Sequence, residues 1–472
     1  MLHTREFSSF AVIFENRKMV KSRETLNQVL SLMTVAFNEL SMGLAVGWLA
    51  PTYIILRDPK GEFKATLDET SWLACLEFVG EIPGAIFTAF VLDIFGRKIL
   101  IGSAAFAFFL MWVINGLTNS MLVLCVTRFL FGLFAGLNDG SNSTYLAENS
   151  SPKIRGAFGT VCIICYYVGL LTEYAIAAYC SYTVTAIVNA VMTFIFFLSV
   201  IWIKEPAQYL LMKGKHEQAK KNFIWLRGGN VNNDEIEYEF ERIKENVQSE
   251  NLKKSSFKKT ITSPANYRSL FIVTILYALS GSTGYFPVMS YASMAFSASD
   301  ILTSNQFTIL FGVTQFIVVV SSLFYVERFS RRKIILFSYS LIALCHAITA
   351  VLYYVNSSVS EIPYFPWLIF SSISLYSGVY AALYPILFVI RGELFPLSVK
   401  ASGGCISMVT WAATTTVTTK IFPYISESFG IEGNFLLFLI SSVITMVFVY
   451  FFLPETKNKT LIEIQEMLEK TK

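Results

Sequence analysis

Apolar runs of about 20 residues, the length that a helix needs to cross a bilayer, recur from one end of the chain to the other. They constrain the fold more than any other feature of the sequence. We place twelve of them, at 29–56, 70–92, 99–117, 120–146, 157–179, 182–203, 269–293, 302–326, 334–355, 364–391, 400–426 and 433–453. Only 15% of the 472 residues are charged, against about a quarter in soluble proteins. The pattern predicts an all-α membrane protein with twelve transmembrane helices.

Basic residues occupy the N-terminal tail and the connections after the even-numbered predicted helices. The odd-numbered connections carry almost none, apart from the first, where acids offset them. Because Lys and Arg concentrate on the cytoplasmic side of membrane proteins, both termini are expected in the cytoplasm. We expect a multi-pass protein of the plasma membrane. The formal net charge of +4 is spread over these loops, so it indicates topology rather than nucleic-acid binding.

One long hydrophilic segment, residues 204–268, divides the predicted helices six and six. Two stretches within it, 217–229 and 234–247, look like short helices lying on the cytoplasmic face. The loops LDIFGRK and VERFSRRK, after the second and eighth predicted helices, resemble each other. Halves related in this way are typical of alternating-access carriers. The predicted units are a cytoplasmic tail (1–28), a six-helix bundle (29–203), the linker (204–268), a second six-helix bundle (269–453) and a cytoplasmic C-terminal tail (454–472).

Metal, redox and enzyme chemistry find little support in the sequence. All seven cysteines lie in or next to apolar runs, and the CxxC of Cys162 and Cys165 is interpreted as packing. The three histidines have no ligand spacing, and no cluster of nucleophile, base and orienting group stands out. We expect no metal, no cofactor and no enzymatic activity. Gly132, Gly136 and Gly140, spaced by four along the fourth helix, predict close helix packing instead.

Four motifs resemble those of the sugar porters of the major facilitator superfamily, over nearly the whole chain. The first, D-x-x-G-R-[RK], spans Asp93 to Lys98, and G-E-x-x-P and P-E-T-K-x-K-T-L begin at Gly392 and Pro454. The longest motif is matched by Arg128, Phe129, Gly132, Tyr145, Glu148, Ser151, Pro152, Arg155 and Gly156. Finer details, including VTTKIF around Lys420, resemble the insect branch that contains facilitated trehalose transporters. The resemblance implies two six-helix bundles that rock about a central site.

Charged residues of these motifs carry an expected role through the resemblance. In the family they form ion pairs between the halves on the cytoplasmic side, which close the inner gate and break when the site faces inward. Such weak pairs suit a gate, because its two states must differ by only a few kcal/mol. The gate residues implied here are Asp93, Arg97, Glu148, Arg155, Glu205, Glu327, Arg331, Arg332, Glu393 and Lys400.

The pocket positions implied by the resemblance depart from the family pattern. The family holds sugar hydroxyl groups with side-chain amides and a tryptophan. Those positions fall here on Ile163, Tyr277, Ala278, Thr283, Phe388 and Thr414. A pocket that pairs with hydroxyl groups discriminates less when its amides are replaced by aliphatic groups. These six residues are nevertheless the candidate substrate-binding positions.

Ionisable residues also occur inside the predicted helices, where they cost a few kcal/mol unless they face a cavity or a partner. They are Glu77, Glu81, Arg128, Asp139, Glu173 and Arg391. One interpretation is a pathway for a cation or proton, with Glu77 and Glu81 on one helix face. The other is neutralisation by Arg128 or Arg391. The span-one acid of proton-coupled sugar porters falls near Leu44, which favours uncoupled movement.

The sequence thus predicts a carrier that moves a small polar solute, a sugar such as trehalose or a hexose, by facilitated diffusion through the lipid bilayer. Two alternatives stay open. One is a proton-coupled or organic-cation carrier that uses the intramembrane carboxylates, and the other is a non-transporting sensor on a carrier scaffold. If the protein is glycosylated, the predicted topology places the N-glycan on Asn356, within an N-x-[ST] match.

Overall fold

The computed structural model describes residues 23–61, 63–150, 152–227, 234–252, 264–296, 302–322, 329–359, 361–395, 400–457, 459 and 461–470. This part of the chain consists of helices joined by turns and short loops. The helices are α1 (Arg23–Arg57), α2 (Leu67–Phe95), α3 (Arg97–Leu117), α4 (Met121–Asn149), α5 (Pro152–Tyr179), α6 (Tyr182–Ser199), α7 (Ala207–Met212), α8 (His216–Leu226), α9 (Asp234–Leu252), α10 (Pro264–Gly281), α11 (Tyr285–Ser290), α12 (Ala292–Ala295), α13 (Ser304–Ser322), α14 (Arg331–Ser358), α15 (Phe365–Leu394), α16 (Lys400–Phe429), α17 (Ile431–Phe452) and α18 (Leu461–Lys470).

Eleven segments of the described chain are helical, long and apolar enough to span a membrane. α16, with 30 residues, is as long as the others but rich in threonine. Its hydroxyl groups return hydrogen bonds to the helix itself, as from Thr416 Oγ1 to the Ala412 carbonyl (2.7 Å) and from Thr418 Oγ1 to that of Thr414 (3.0 Å). Such bonds lower the cost of placing threonine in a membrane-spanning helix, whereas the hydroxyl groups of Thr415 and Thr419 are buried without a partner within the described residues. With α16 as the twelfth span, the predicted fold class is confirmed.

The linker helices α7 to α9 define one face of the molecule, which we call the linker face. The Asn27 amide at the start of α1 donates to the Trp225 carbonyl of α8 (2.7 Å). The Tyr209 hydroxyl of α7 donates to the Ile94 carbonyl at the end of α2 (3.0 Å). α1 therefore begins, and α2 ends, at the linker face. The opposite end of the bundle is called the far face.

α2 and α4 pack with their backbones in close approach. A Cβ atom added to Gly132 would lie 1.8 Å from the Glu77 carbonyl oxygen, and one added to Gly136 would lie 2.6 Å from that of Glu81. No side chain larger than hydrogen fits at such distances. The close packing predicted from the glycine spacing is confirmed.

The seventh predicted span is not a continuous helix, contrary to the run 269–293 read from the sequence. α10 ends at Gly281, and the path resumes as the short α11 and α12. Ser282 and Thr283 turn their hydroxyl groups back to the carbonyls of Leu279 (2.8 Å) and Ser280 (2.7 Å). Gly284 then adopts a φ of 83°, a left-handed conformation that favours glycine. Carriers commonly use such broken helices around their central site.

The two halves, α1–α6 and α10–α17, meet along three seams. α2 lies against α16, α5 against α13, and α1 against α11 and α12. Tyr53 of α1 packs edge-on against Tyr291, with ring centroids 5.4 Å apart. The Tyr167 hydroxyl of α5 meets that of Tyr285 at 3.0 Å. These seams enclose the centre of the molecule, where the candidate site lies.

Candidate functional site

Aromatic rings fill the middle of the interface between the halves. Phe78 of α2 lies 5.5 Å from Phe286 and 6.0 Å from Trp411, both in the second half. Tyr384 of α15 lies 6.2 Å from Phe286 and 6.2 Å from Trp411. We call these four rings the aromatic centre. Because they come from both halves, a change in how the halves meet must change this cluster.

The structure brings three of the six predicted pocket residues to the edge of the aromatic centre. Tyr277 and Phe388 pack edge-on at 6.3 Å, and Phe388 packs on Tyr384 at 5.0 Å. Thr414 lies against α10, since a Cβ atom on Gly281 would be 2.4 Å from its Oγ1.

The other three predicted positions are spread over the same region. Ala278 follows Tyr277 on α10, and Thr283 is buried in the break of the seventh span. Ile163 lies on α5 in the first half, partly buried against the core and one turn before Tyr167. The six positions therefore come from four helices and the loop after α10. Whether they bind the solute stays a prediction.

Gln315 of α13 is a buried residue that sequence reasoning did not single out. Its side chain is 0% exposed, and neither amide atom has a hydrogen-bond partner within the described residues. One turn earlier, a Cβ atom on Gly312 would touch the Tyr174 ring of α5 at 2.9 Å, so this helix face meets the first half. In the same part of the described chain, the hydroxyl of Tyr174 is also buried without a partner. Buried polar groups of this kind normally have a partner, so both groups are available to a polar ligand.

Arg128 and Glu77 form a buried ion pair within the first half. Arg128 Nη1 lies 2.5 Å from Glu77 Oε2 and donates to the Ala45 carbonyl at 3.0 Å. The guanidinium also stacks over Trp48, 4.5 Å from the ring, and interacts electrostatically with Glu173. Neutralisation by Arg128 is therefore the outcome for Glu77. Glu81 has no such cation within 4 Å in the described chain and interacts electrostatically with Glu77 one turn away.

Three other carboxylates lie partly exposed near the middle of the interface: Glu39 of α1, Glu81 of α2 and Asp139 of α4. Asp139 interacts electrostatically with Glu39, with Glu81 and with Arg391 of the second half. None of the three belongs to an ion pair of 4 Å or less within the described chain. Arg391 itself lies over the rings of Phe388 (4.7 Å) and Tyr277 (5.6 Å). We call Glu39, Glu81 and Asp139 the central carboxylates.

At the linker face, Arg97 organises the gate residues of the first half. Its guanidinium lies 3.1 Å from Asp93 and 2.9 Å from Glu148, and over the Tyr209 ring at 5.1 Å. Both Glu205 carboxylate oxygens accept from the Lys98 backbone amide at 3.2 Å. Burial raises the pKa of the Glu205 carboxyl, although this hydrogen bond opposes the shift. A carboxylate thus sits at the N-terminus of α3, where it complements the helix dipole.

The second half repeats this arrangement about 250 residues later. Glu455 accepts from the backbone amides of Arg331 (3.1 Å) and Arg332 (3.3 Å) at the N-terminus of α14, and from the Ser330 hydroxyl. Partial burial raises the pKa of the Glu455 carboxyl, but these hydrogen bonds outweigh it and hold the pKa below its usual value. Arg331 Nε lies 3.9 Å from Glu393. Glu455 thus corresponds to Glu205, since each accepts hydrogen bonds at the N-terminus of a helix, α14 for Glu455 and α3 for Glu205.

The resemblance implied ion pairs between the halves. The observed pairs of the gate residues instead lie within each half. Arg97, Asp93 and Glu148 belong to the first half, and Glu205 lies at the start of the linker that follows it. Arg331, Arg332 and Glu393 belong to the second. The side chains of Arg155 and Lys400, and all of Glu327, lie outside the described residues. Pairing between the halves stays a prediction for the opposite state of the carrier.

Asn356, the predicted glycan position, lies in the last turn of α14 at the far face. Its side-chain oxygen accepts from the Ile362 backbone amide at 3.1 Å. This contact holds the side chain against the loop that follows. Glycosylation at Asn356 stays a prediction.

Comparison with known proteins identifies the family. The model of the family described as "Sugar (and other) transporter" matches residues 15–468. The chain belongs to this family. The predicted relationship to sugar porters is confirmed, and the protein is a membrane transporter.

Several curated relatives of this transporter come from insects. It is 24% identical to the facilitated trehalose transporter Tret1 of Polypedilum vanderplanki over 446 residues, 93% of this chain and 88% of the relative. It is 25% identical to the Tret1-2 homologue of Drosophila sechellia over 458 residues, 95% and 92% of the two chains. A third relative, Tret1 of Aedes aegypti, is longer. The chain is 24% identical to it and spans 55% of its length.

Solved structures with the same fold include the xylose transporter XylE from E. coli in an inward-open conformation. The TM-score is 0.76 at 17% identity, over 92% of this chain and 98% of that one. XylE bound to 6-bromo-6-deoxy-D-glucose gives 0.73 at 18% identity, over 94% and 100%. At this identity the likeness shows the fold, which is that of the major facilitator superfamily.

Proposed function

We propose that the protein carries a sugar across the plasma membrane by alternating access, as a facilitator that needs no ion gradient. The family and the insect relatives named facilitated trehalose transporters support this assignment. Trehalose is therefore the first solute to test, followed by hexoses. The transport needs no covalent chemistry, since binding and a change of state are enough.

The observation that carries the proposal is the buried amide of Gln315 on α13, the helix that packs against α5 of the first half. A sugar offers hydroxyl groups that both donate and accept, so it can satisfy the amide and the Tyr174 hydroxyl together. The aromatic centre supplies the apolar walls that small-molecule sites combine with a few placed polar groups. A solute bound there touches both halves, which alternating access requires.

The orientation proposed for the linker face is cytoplasmic. The basic connections Arg97–Lys98 and Arg331–Lys333 lie on this face, and Lys and Arg mark the cytoplasmic side. The ion pairs described at the linker face each lie within one half, while an ion pair joins the halves at the far face. We infer that the structure represents an inward-facing state, with both termini in the cytoplasm.

Uptake into proteoliposomes tests the proposal. The purified protein should give saturable uptake of radiolabelled trehalose or of a hexose that stops at equal concentrations on the two sides. Gln315→Leu keeps the side-chain volume and removes the amide, so it should raise the KM by about 10-fold or more, as expected when a buried hydroxyl loses its partner. Gln208→Leu, on the linker helix α7, is the matched control and should transport normally. Absence of saturable uptake for every sugar in a broad panel would refute the assignment.

The central carboxylates favour a second candidate function, a carrier coupled to protons or one that takes organic cations. Glu39, Glu81 and Asp139 lie near the solute path, and partly exposed acids of this kind mark ion pathways in membrane proteins. An inward proton gradient would then drive accumulation above equilibrium, and Glu81→Gln would abolish the accumulation while sparing exchange. If uptake is the same with and without the proton gradient, and organic cations do not inhibit it, the protein is a facilitator.

A further inference from the structure

The far face holds an ion pair that joins the two halves. Lys420 Nζ of α16 lies 2.7 Å from Asp68 Oδ1 and 2.7 Å from the Ser71 hydroxyl, both on α2. The described pairs of Arg97, Arg128 and Arg331, in contrast, each stay within one half. The Lys420 contact therefore exists only while the halves meet at this face.

Aromatic side chains from both halves surround the Lys420 ammonium. It lies 4.2 Å from the Trp72 ring and 5.4 Å from the Tyr424 ring, within the range of cation–π attraction. The Tyr424 hydroxyl donates to Asp68 Oδ1 at 2.5 Å. Lys420 is only 20% exposed although its partner is 63% exposed. We call Asp68, Ser71, Trp72, Lys420 and Tyr424 the far-face latch.

Each half holds its own latch residues in position on a helix, independently of the contact between the halves. Asp68 lies in the first turn of α2, where the helix dipole favours a carboxylate, and Thr66 caps that helix with Glu69 in a capping box. Lys420 and Tyr424 lie four apart on α16, so they share one helix face. Neither half needs to refold when the contact forms or breaks. This is the behaviour of a gate and not of a core contact.

We propose that the far-face latch holds the solute path closed at the far face and sets the balance between the two states of the carrier. The inference rests on the proposed alternating access, because only a molecule whose halves separate at this face must break the pair. Solute entry from that side requires Lys420 to leave Asp68 and Ser71. Loss of the latch should raise the population open at the far face about fivefold, the upper range for a partly exposed ion pair.

A native thiol beneath the latch reports its opening. Cys75 is two helical turns below Asp68, is 0% exposed and interacts electrostatically with both Lys420 and Asp68. Cys180, exposed at the far end of α5, is an internal standard for labelling. Cys345 on α14, 2% exposed and inside the second half, reports general loosening of the fold.

The experiment measures the rate of maleimide labelling at each cysteine by peptide mass spectrometry, with the full-length protein in lipid nanodiscs. Lys420→Met and Asp68→Asn should each speed labelling of Cys75 about fivefold, with Cys180 and Cys345 unchanged. The double variant should not exceed the larger single effect, because one contact is lost in all three. Lys60→Met, which removes a far-face lysine in the loop before α2, is the matched control.

Two features of the design separate gating from simpler causes. Removing a cation beside a thiol slows its reaction, and removing an anion speeds it. A direct charge effect would therefore slow labelling of Cys75 in Lys420→Met and speed it in Asp68→Asn. Opening of the latch speeds labelling in both variants. A structural role would speed Cys345 together with Cys75. Unchanged labelling of Cys75, opposite signs, or a parallel rise at Cys345 would each overturn the latch. The readout needs no solute, so failure of sugar uptake and failure of the latch remain distinct results.

Discussion

The buried charge of Arg128 has partners that the chain brings from distant helices. Arg128 and Glu77 are 51 residues apart, yet the guanidinium reaches the carboxylate, a backbone carbonyl and the Trp48 ring. The sequence indicated that a charge inside a membrane helix needs a partner, but not which one. Glu77 and Glu81 are one turn apart on α2, so the sequence does not indicate which of them pairs with Arg128. The choice depends on how α2 and α4 pack.

Removal of Arg128 alone should therefore be more damaging than removal of the whole pair. Arg128→Met leaves Glu77 buried against an apolar group, which costs about 3–5 kcal/mol in comparable buried pairs. The double variant Arg128→Met with Glu77→Gln should recover part of this loss. Thermal unfolding midpoints of the purified variants measure the order of their stabilities. Lys220→Met, which breaks the exposed pair with Glu237, is the control and should leave the midpoint nearly unchanged. A double variant less stable than Arg128→Met would contradict this account of the pair.

Glu455 gives a pH-dependent prediction at the linker face. Its pKa is lowered in the folded protein by the hydrogen bonds that cap α14. Because a lowered carboxyl pKa stabilises the fold above the unfolded pKa, the contribution is present at neutral pH and is lost as the pH falls through the folded value. Glu455→Gln should therefore lower the unfolding midpoint at neutral pH, and the difference should persist down to about pH 4 and shrink only below it. A difference that grows on acidification would show that the carboxylate does not act as this cap.

At the scale of elements, the sequence predicted the helices well because the bilayer imposes a simple rule. An apolar run long enough to span must be helical to satisfy its backbone. The break between α10 and α11 was missed, since Ser282, Thr283 and Gly284 are ordinary in membrane helices until their hydrogen bonds and the φ of Gly284 are known. Gln315 was overlooked for a similar reason. A lone amide in an apolar run gives no sign of which helix it faces.

The packing of α2 on α4 gives a sharp test with an internal control. Gly132→Ala places a Cβ atom 1.8 Å from the Glu77 backbone carbonyl, so the helices must move apart. Overpacking of this kind costs about 1–3 kcal/mol or more. Gly159→Ala in α5 meets nothing within 4 Å and should be neutral or slightly stabilising, since alanine favours helix. Equal thermal midpoints for the two variants would contradict the close approach.

At the scale of the molecule, the two halves repeat one plan. Glu205 caps α3 as Glu455 caps α14, and Arg97 meets Glu148 as Arg331 meets Glu393. The repeated motifs contain the charges that pair here, but they do not indicate that each described pair lies inside one half. A pattern of charges is the same in every state of a carrier, whereas the contacts belong to one state. The sequence therefore predicts the parts of a gate without its position.

The central claim, facilitated alternating access, predicts counterflow. Vesicles that hold the protein and a high concentration of unlabelled trehalose, or of the hexose that supports uptake, are diluted into trace labelled solute without any ion gradient. The labelled solute should transiently accumulate inside above its external concentration, equally at neutral and acidic pH, because a carrier that returns loaded exchanges one molecule for another. Labelled solute that only equilibrates, with no overshoot, would contradict alternating access for that solute.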